Sequence, residues 1–339
     1  MAVIILPWYS QITRDMEKNT YYITAASTIS HQDTFGKTGF SDSMSPVVPP
    51  ALITPDYKAF IDAGLLRRMS KILRMAVACA KDCLAQTGLD QPDAIITGTG
   101  LGCLQDTDKF LNTSLTVEGL LPPTAFIQST HNTMAGQISL SLGNHGYNMT
   151  HTQNTLSFEH AMVDALLLLD EGEEHILVGA ADEHIEILSE ITSHLGYAPG
   201  FPLTSGASFF TISKEKGEGT VARIADCEPV AFAKDPVKKL TRFLNNNSLE
   251  INDLSKIIYA VPGNANEGEY ESIWRKAGLD PEKCINYLSL CGVYPTASAF
   301  ALNYAVDLIS QDRSLKNILI FNALRKENLG LTLVQSVEA

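Results

Sequence analysis

The 339-residue sequence predicts a layered α/β protein built from two similar halves, and three observations carry that reading. Apolar runs of strand length alternate with segments of helical period along the whole chain, the pattern of sheets covered by helices. A charged link, LysGluLysGlyGluGly at 214–219, interrupts the series, and a second series of the same kind follows it. With 45% hydrophobic and 19% charged residues the composition is that of a globular chain with a large core to bury. The predicted halves are 1–214 and 215–339. No sequence repeat links them, so the expected duplication is one of fold.

Tyr21–Ile29 reads as the first strand, and the Gly-, Ser- and Pro-rich stretch from Gly36 to Pro55 as a long irregular loop. Leu65–Leu84 is predicted as one helix, because Leu66, Met69, Ile72, Leu73, Ala76, Val77 and Ala80 recur at three- and four-residue spacing. Gly88 stops it. Asp93–Thr97 is a buried strand running into GlyThrGlyLeuGlyCys at 98–103, and Met134–Ser141 is a helix ended by Gly143. A polar strand, Tyr147–Thr152, precedes the helix Phe158–Leu169, and the apolar run His175–Ala181 fits a strand covered on both faces. Ala207–Ser213 is a further strand. The second series reads as strand Thr220–Ala225, helix Pro236–Phe243, strand Lys256–Val261, helices Tyr270–Ala277 and Thr296–Ile309, and strands Asn317–Asn322 and Gly330–Gln335.

Charge and composition exclude several classes. Twenty-five Lys and Arg against 38 Asp and Glu give a net charge of −13, which argues against a nucleic-acid partner, since phosphate neutralisation needs a broad basic face. No apolar run approaches the ~20 residues of a membrane span, and the first residues show no basic region followed by a cleavage site, so a cytoplasmic protein is expected. The six cysteines (Cys79, Cys83, Cys103, Cys227, Cys284 and Cys291) have no metal-ligand spacing and read as reduced thiols; no metal and no cofactor are expected. All eight histidines lie at or before His194, so the last 145 residues work without imidazole.

Each chemical candidate competes with a plain structural role. The glycine run at 98–103 follows a strand as a dinucleotide fingerprint does, but Cys103 stands where the third glycine belongs and no acidic residue follows at the required distance. A glycine-lined turn is the simpler reading. Cys103 and Cys291 are free thiols without a neighbouring base in sequence. His151, Glu159 and His160 surround a turn, Thr155-Leu156-Ser157, at which a strand of alternating polarity runs directly into a helix. Such a turn exposes a side chain at a helix N-terminus, where free N–H groups stabilise an anion. Nucleophile elbows are built this way, although here the position offers a threonine.

The order of these motifs resembles the β-ketoacyl synthase family of the thiolase superfamily over most of the chain. In that family a glycine-led strand reaches the catalytic cysteine after nine residues; here Gly146 plus nine is Thr155, with Ser157, Ala161 and Ala165 matching the positions that follow. AsnThrMetAlaGlyGln at 132–137, LeuValGlyAlaAlaAspGluHis at 177–184 and the FNALRKENLGLTLV segment near the C-terminus resemble further family motifs. The resemblance implies a thiolase-like five-layer α-β-α-β-α fold with two duplicated α/β halves.

It also implies that the chemistry has been lost. By the same correspondence Pro262 stands at the first histidine position, Gly292 at the second and Tyr287 at the lysine position. A threonine hydroxyl is a poor nucleophile without a base, and imidazole donors to the oxyanion contribute several kcal/mol. The chain is therefore expected not to condense acyl groups alone. Ser157, Phe158, His160, Asn264, Asn266 and Cys291 are the candidate acyl-pocket residues, and Asn264 or Asn266 remains a donor to an acyl carbonyl.

Catalytically degenerate relatives of this kind, the chain length factors, pair with an active ketosynthase and shape its pocket. ITAASTIS and LRRMSKILRM resemble the ketosynthase-like proteins of aryl-polyene and flexirubin-type pathways. The implied partner is a ketosynthase subunit or a second copy, joined through the strand after Gly146. Arg67, Arg68, Lys71 and Arg74 are the candidate docking residues for an acidic acyl carrier protein, with a solvated helix face as the plain alternative. Two other readings stay open: acyl transfer or hydrolysis by Thr155 with a nearby histidine, and a stand-alone acyl-binding homodimer.

Overall fold

A computed structural model describes residues 20–47, 51–121, 123–196, 200–261, 280–325 and 328–338. Among these residues ten strands form one continuous hydrogen-bonded sheet system: β1 (Tyr21–Ile29), β2 (Ala94–Gly98), β3 (Tyr147–His151), β4 (His175–Asp182), β5 (Gly206–Ser213), β6 (Ala222–Ala231), β7 (Lys256–Ala260), β8 (Cys284–Asn286), β9 (Asn317–Arg325) and β10 (Asn328–Ser336). Their spatial order is 3-2-4-5-1-6-10-9-7-8. Numbered from its own first strand, each set of five reads 3-2-4-5-1, so the second series repeats the first in mirror order across a seam. Pair directions repeat too: β3, β2 and β4 are parallel, as are β8, β7 and β9, while β5–β1 and β10–β6 are antiparallel. At the seam β1 and β6 pair over only Tyr21–Ile23 and Ala222–Ile224.

The principal helices are α1 (Lys71–Thr87), α2 (Leu104–Thr116), α3 (Pro123–Gln128), α4 (Thr133–Leu142), α5 (Ser157–Glu171), α6 (Glu186–His194), α7 (Pro236–Asn246) and α8 (Ser298–Gln311). Alternation along the strands divides the core into three. Ile95, Leu177 and Phe209 point outward onto α1 in one cluster, whereas Ile96, Val178 and Phe210 point inward onto α5 and α8 in another. Leu319, Leu331 and Leu333 point to the far side, onto α7. The layers are thus helix, sheet, helix, sheet, helix, and the thiolase-like architecture expected from the sequence is present.

One predicted helix is interrupted. Instead of a continuous Leu65–Leu84, a single turn at Ala63–Leu66 is followed by a non-helical Arg67–Ser70, and α1 begins at Lys71. Met69 is buried at the break, and the buried carboxylate of Glu183, the residue after β4, accepts a hydrogen bond from Ile72 N (3.3 Å) and so caps the helix start. The stop at Gly88 holds: it sits at φ 68°, the left-handed conformation of a helix C-terminus. The helices α2, α3 and α6 and the strand β8 lie in stretches where sequence periodicity predicts no element. The predicted helix Tyr270–Ala277 falls outside the described residues.

Candidate functional site

The central helix α5 starts where β3 ends, and the turn between them, Asn154–Leu156, is a single 3₁₀ turn. Three glycines make the tight approach possible. A Cβ on Gly98 would lie 2.6 Å from Ser157 O, one on Gly100 would lie 2.3 Å from Pro295 Cβ, and Gly102, at φ 68°, faces the His131 ring. The 98–103 run is therefore the floor against which the elbow packs, in keeping with a glycine-lined turn. Ser157 ties the two together: its hydroxyl donates to Thr99 O (2.9 Å) and to Asn154 O (2.7 Å).

Thr155 is buried at the turn. Its Oγ1 accepts from Asn328 Nδ2 (3.1 Å), and its carbonyl accepts from Asn322 Nδ2 (2.8 Å). The same Asn322 Nδ2 donates to Glu159 Oε1 (2.7 Å), so the β9–β10 hairpin clamps the elbow through two asparagines. Glu159 is enclosed in the inter-sheet layer, and burial pushes its pKa up to about 7 against the opposing pull of the Asn322 amide. Gly330 leaves the space: a Cβ there would lie 2.5 Å from Glu159 Oε1.

The histidines around the turn do not reach the hydroxyl. His151 Nε2 pairs with Asp164 (2.9 Å), and His160 stacks on His151 with ring centroids 6.4 Å apart. Burial, with the neighbouring His151 imidazole, lowers the His160 pKa. No histidine hydrogen-bonds to Thr155 among the described residues.

A cavity of about 330 Å³ opens beside the elbow. Leu101, Leu188, Leu203, Val293, Tyr294 and Leu324 give it an apolar wall, and Asn154, Thr155, Glu183, His184, Thr192, Thr204, Pro295 and Arg325 complete it. Two buried carboxyls organise that wall. Asp182 accepts from Thr99 Oγ1, the Gly100 and Leu101 amides, and both Thr296 N and Oγ1, all within 3.1 Å. Glu183 accepts from Ile72 N and from Gln105 N (3.0 Å), near the starts of α1 and α2. Burial raises the pKa of both, and the hydrogen bonds oppose it.

The sequence candidates are distributed as follows. Thr155 lines the cavity. Ser157 and Phe158 are enclosed beneath it, Phe158 against Phe210 in the inter-sheet core, and neither belongs to the cavity wall. His160 faces His151, and Cys291 is fully buried with its thiol pKa pushed up by burial. Gly292, at φ 76°, has no room for a side chain, since a Cβ would lie 2.3 Å from Thr204 Cγ2. Tyr287 is completely buried, and its phenol pKa is raised by burial and further by the Glu159 carboxylate. Pro262, Asn264 and Asn266 lie outside the described residues. Asn154, Asp182, Asn322 and Asn328 are the polar groups that motif reading passed over. The consecutive acids Asp182-Glu183 closing an apolar strand were the available signal, because such a pair is buried only to satisfy donors.

Arg67, Arg68, Lys71 and Arg74 do come together. With Lys109 they line a cleft of about 520 Å³ whose wall includes Leu52, Tyr57 and Met69, and Asp106 is its one carboxylate. None of the five cations forms a salt bridge among the described residues. Lys71 Nζ donates to His184 O (3.1 Å) at the partition between this cleft and the apolar cavity. No group of three or more potential ligands is placed to hold a metal ion, and no helix is long and apolar enough to cross a membrane, among the described residues.

Solved structures share this architecture. The ishigamide ketosynthase/chain length factor superposes with a TM-score of 0.78 at 17% identity, over 94% of this chain and 100% of that one. A ketosynthase in complex with its chain length factor from Xenorhabdus doucetiae gives 0.72 at 12%, over 94% and 98%. A beta-ketoacyl synthase from Burkholderia phymatum gives 0.72 at 12%, over 94% and 100%. At these identities the likeness is one of fold. No curated protein sequence matches the chain. The sequence model described as "Beta-ketoacyl synthase, N-terminal domain" matches residues 45–247, more than half of the chain and the segment that carries the elbow, the glycine floor and Asp182-Glu183, and by that match the protein belongs to the β-ketoacyl synthase family.

Proposed function

We propose that this chain is a non-condensing, chain-length-factor-like partner of an active ketosynthase in polyene, polyketide or fatty-acyl biosynthesis. The observation that carries the reading is an elbow kept in shape and emptied of its chemistry. The turn, its glycine floor and an adjoining apolar cavity are all present, while the Thr155 hydroxyl oxygen accepts from the Asn328 amide and no imidazole bonds to it among the described residues. With no base bonded to it among the described residues, a threonine hydroxyl attacks a thioester far too slowly to support turnover.

The surface supports a partner. β3 lies at the end of the strand order, its second edge unpaired among the described residues, and Tyr147 and Met149 are exposed on it. The flanking helices α4 and α5 expose Leu140 and Leu167. An open edge with apolar neighbours is a template for another chain. Two of the similar structures are titled as ketosynthases with chain length factors, which favours a related ketosynthase over a second copy. The five-cation cleft is the proposed landing point for an acidic acyl carrier protein, and the cytoplasm the proposed location.

Co-expression with a cognate ketosynthase tests the reading. Native mass spectrometry is expected to show a 1:1 complex that sets the product-length distribution, and the chain alone is expected to release no condensation product. A chain that remains apart from the ketosynthase and leaves the products unchanged refutes it.

A further inference from the structure

Most polar groups of the apolar cavity are committed elsewhere, and the Tyr294 hydroxyl, which has no partner among the described residues, is buried against Gly206. Thr155 Oγ1 accepts from Asn328, Thr204 Oγ1 donates to Cys291 O (2.7 Å), and Thr192 Oγ1 donates to Ser189 O (2.9 Å). Glu183 is held by two helix-start amides, and His184 Nε2 pairs with Ser189 Oγ (2.8 Å). Asn154 differs. Asn154 lines the cavity and its side-chain amide has no hydrogen-bond partner among the described residues, while its backbone carbonyl is engaged by Ser157 Oγ. Asn154 is also the elbow residue with the left-handed backbone, at φ 56°. In strand-to-helix elbows the strained residue is the one whose side chain is thrust out over the site.

The geometry points to Asn154, and not its neighbour Thr155, as the residue in the nucleophile's place, offering its amide to the carbonyl of an acyl thioester lying in the cavity. An uncommitted amide against apolar walls is matched by a ligand that is apolar except for a carbonyl. Nδ2 donates to the carbonyl oxygen and the alkyl chain runs along Leu188, Leu203 and Val293. No bond is made or broken, so the residue holds the acyl group without processing it. The assignment rests on the acyl-handling part of the function proposed above and is independent of which protein is the partner.

Two measurements on the full-length chain test it. The first compares single-cysteine introductions at Asn154→Cys and Thr155→Cys, treated with N-octyl iodoacetamide or with iodoacetamide and mapped by peptide mass, Cys284 being the half-buried internal reference. Position 154 is expected to react at least tenfold faster with the octyl reagent, each rate being normalised to glutathione, and position 155 no faster than Cys284. Labelling at 155 in preference to 154, or no preference for the octyl chain at 154, overturns the assignment.

The second measures the Kd of S-octanoyl-N-acetylcysteamine and of its S-octyl thioether analogue, which lacks the carbonyl. The wild type is expected to prefer the thioester by about tenfold, the value of one net hydrogen bond. Asn154→Gly, which accepts the positive φ, is expected to bind both equally. A thioester preference that survives in Asn154→Gly, or a wild type that binds neither compound, overturns the assignment. Failure of co-purification with a ketosynthase removes the partner reading and leaves these results standing.

Discussion

Glu159 concentrates the most consequential residue-scale effect. Its proton is held more tightly in the folded chain, with a pKa of about 7, than in the unfolded one, where the ordinary value is 4.5. Stability from this group is therefore complete below about pH 4.5 and lost as pH rises through about 7, a change of about 3 kcal/mol. Urea midpoints at pH 5 and pH 8 are expected to fall for the wild type and to fall by much less for Glu159→Gln, with Asp182 and Glu183 supplying the remaining slope. Equal slopes would exclude Glu159 as the source. At Asp182 the expected effect is larger and needs no titration. Asp182→Ala leaves five donors without their acceptor and is expected to lose about 3–5 kcal/mol in the same assay, with Asp182→Asn losing less. At this scale the sequence was only partly legible. The motif order located the elbow, but a spacing count cannot tell which of two adjacent residues turns outward, since that depends on a backbone angle at Asn154 set by contacts from Gly100 and Ser157.

At the scale of elements the helical and strand periods were informative wherever packing alone decides a boundary. β1, β4, α4 and α5 begin and end within a residue or two of their predicted limits, because buried apolar runs define the strands and an apolar face with a terminal glycine, Gly143 or Gly172, defines the helices. The break at Arg67–Ser70 was hidden, because the Glu183 carboxylate that caps α1 comes from more than a hundred residues away. Helix α2 was missed for a different reason: none of its residues is buried, and Leu111 and Leu115 are exposed, so packing in the core does not define it. Two glycines give opposite predictions. Gly98→Ala drives a Cβ into the Ser157 carbonyl and is expected to destabilise by about 1–3 kcal/mol. Gly136→Ala, within α4 and facing open space, is expected to stabilise by about 0.5–1 kcal/mol. Thermal denaturation of both variants checks the pair.

For the whole molecule, the alternation of elements and the charged link at 214–219 made the layered duplication readable, because those features reflect burial. Strand order was not readable from residues; it follows from right-handed parallel crossovers and became an expectation through the family likeness. The exposed edge of β3 supplies the prediction at this scale. Met149→Lys places a charge in the proposed contact without touching the core, so the isolated chain is expected to keep its unfolding midpoint while its complex with a ketosynthase weakens by at least tenfold. Analytical ultracentrifugation of the mixture reads this directly. An unchanged association constant would remove β3 from the interface.

The narrow seam has one more consequence. β1 and β6 meet over three residue pairs, whereas α5 from the first half and α8 from the second each pack against strands of both halves. Cohesion between the halves therefore comes from interleaved helices far more than from strand pairing. A protease cut within 214–219 is expected to leave two fragments that stay associated and unfold as a single cooperative unit, each insoluble by itself and each acting as the other's folding template.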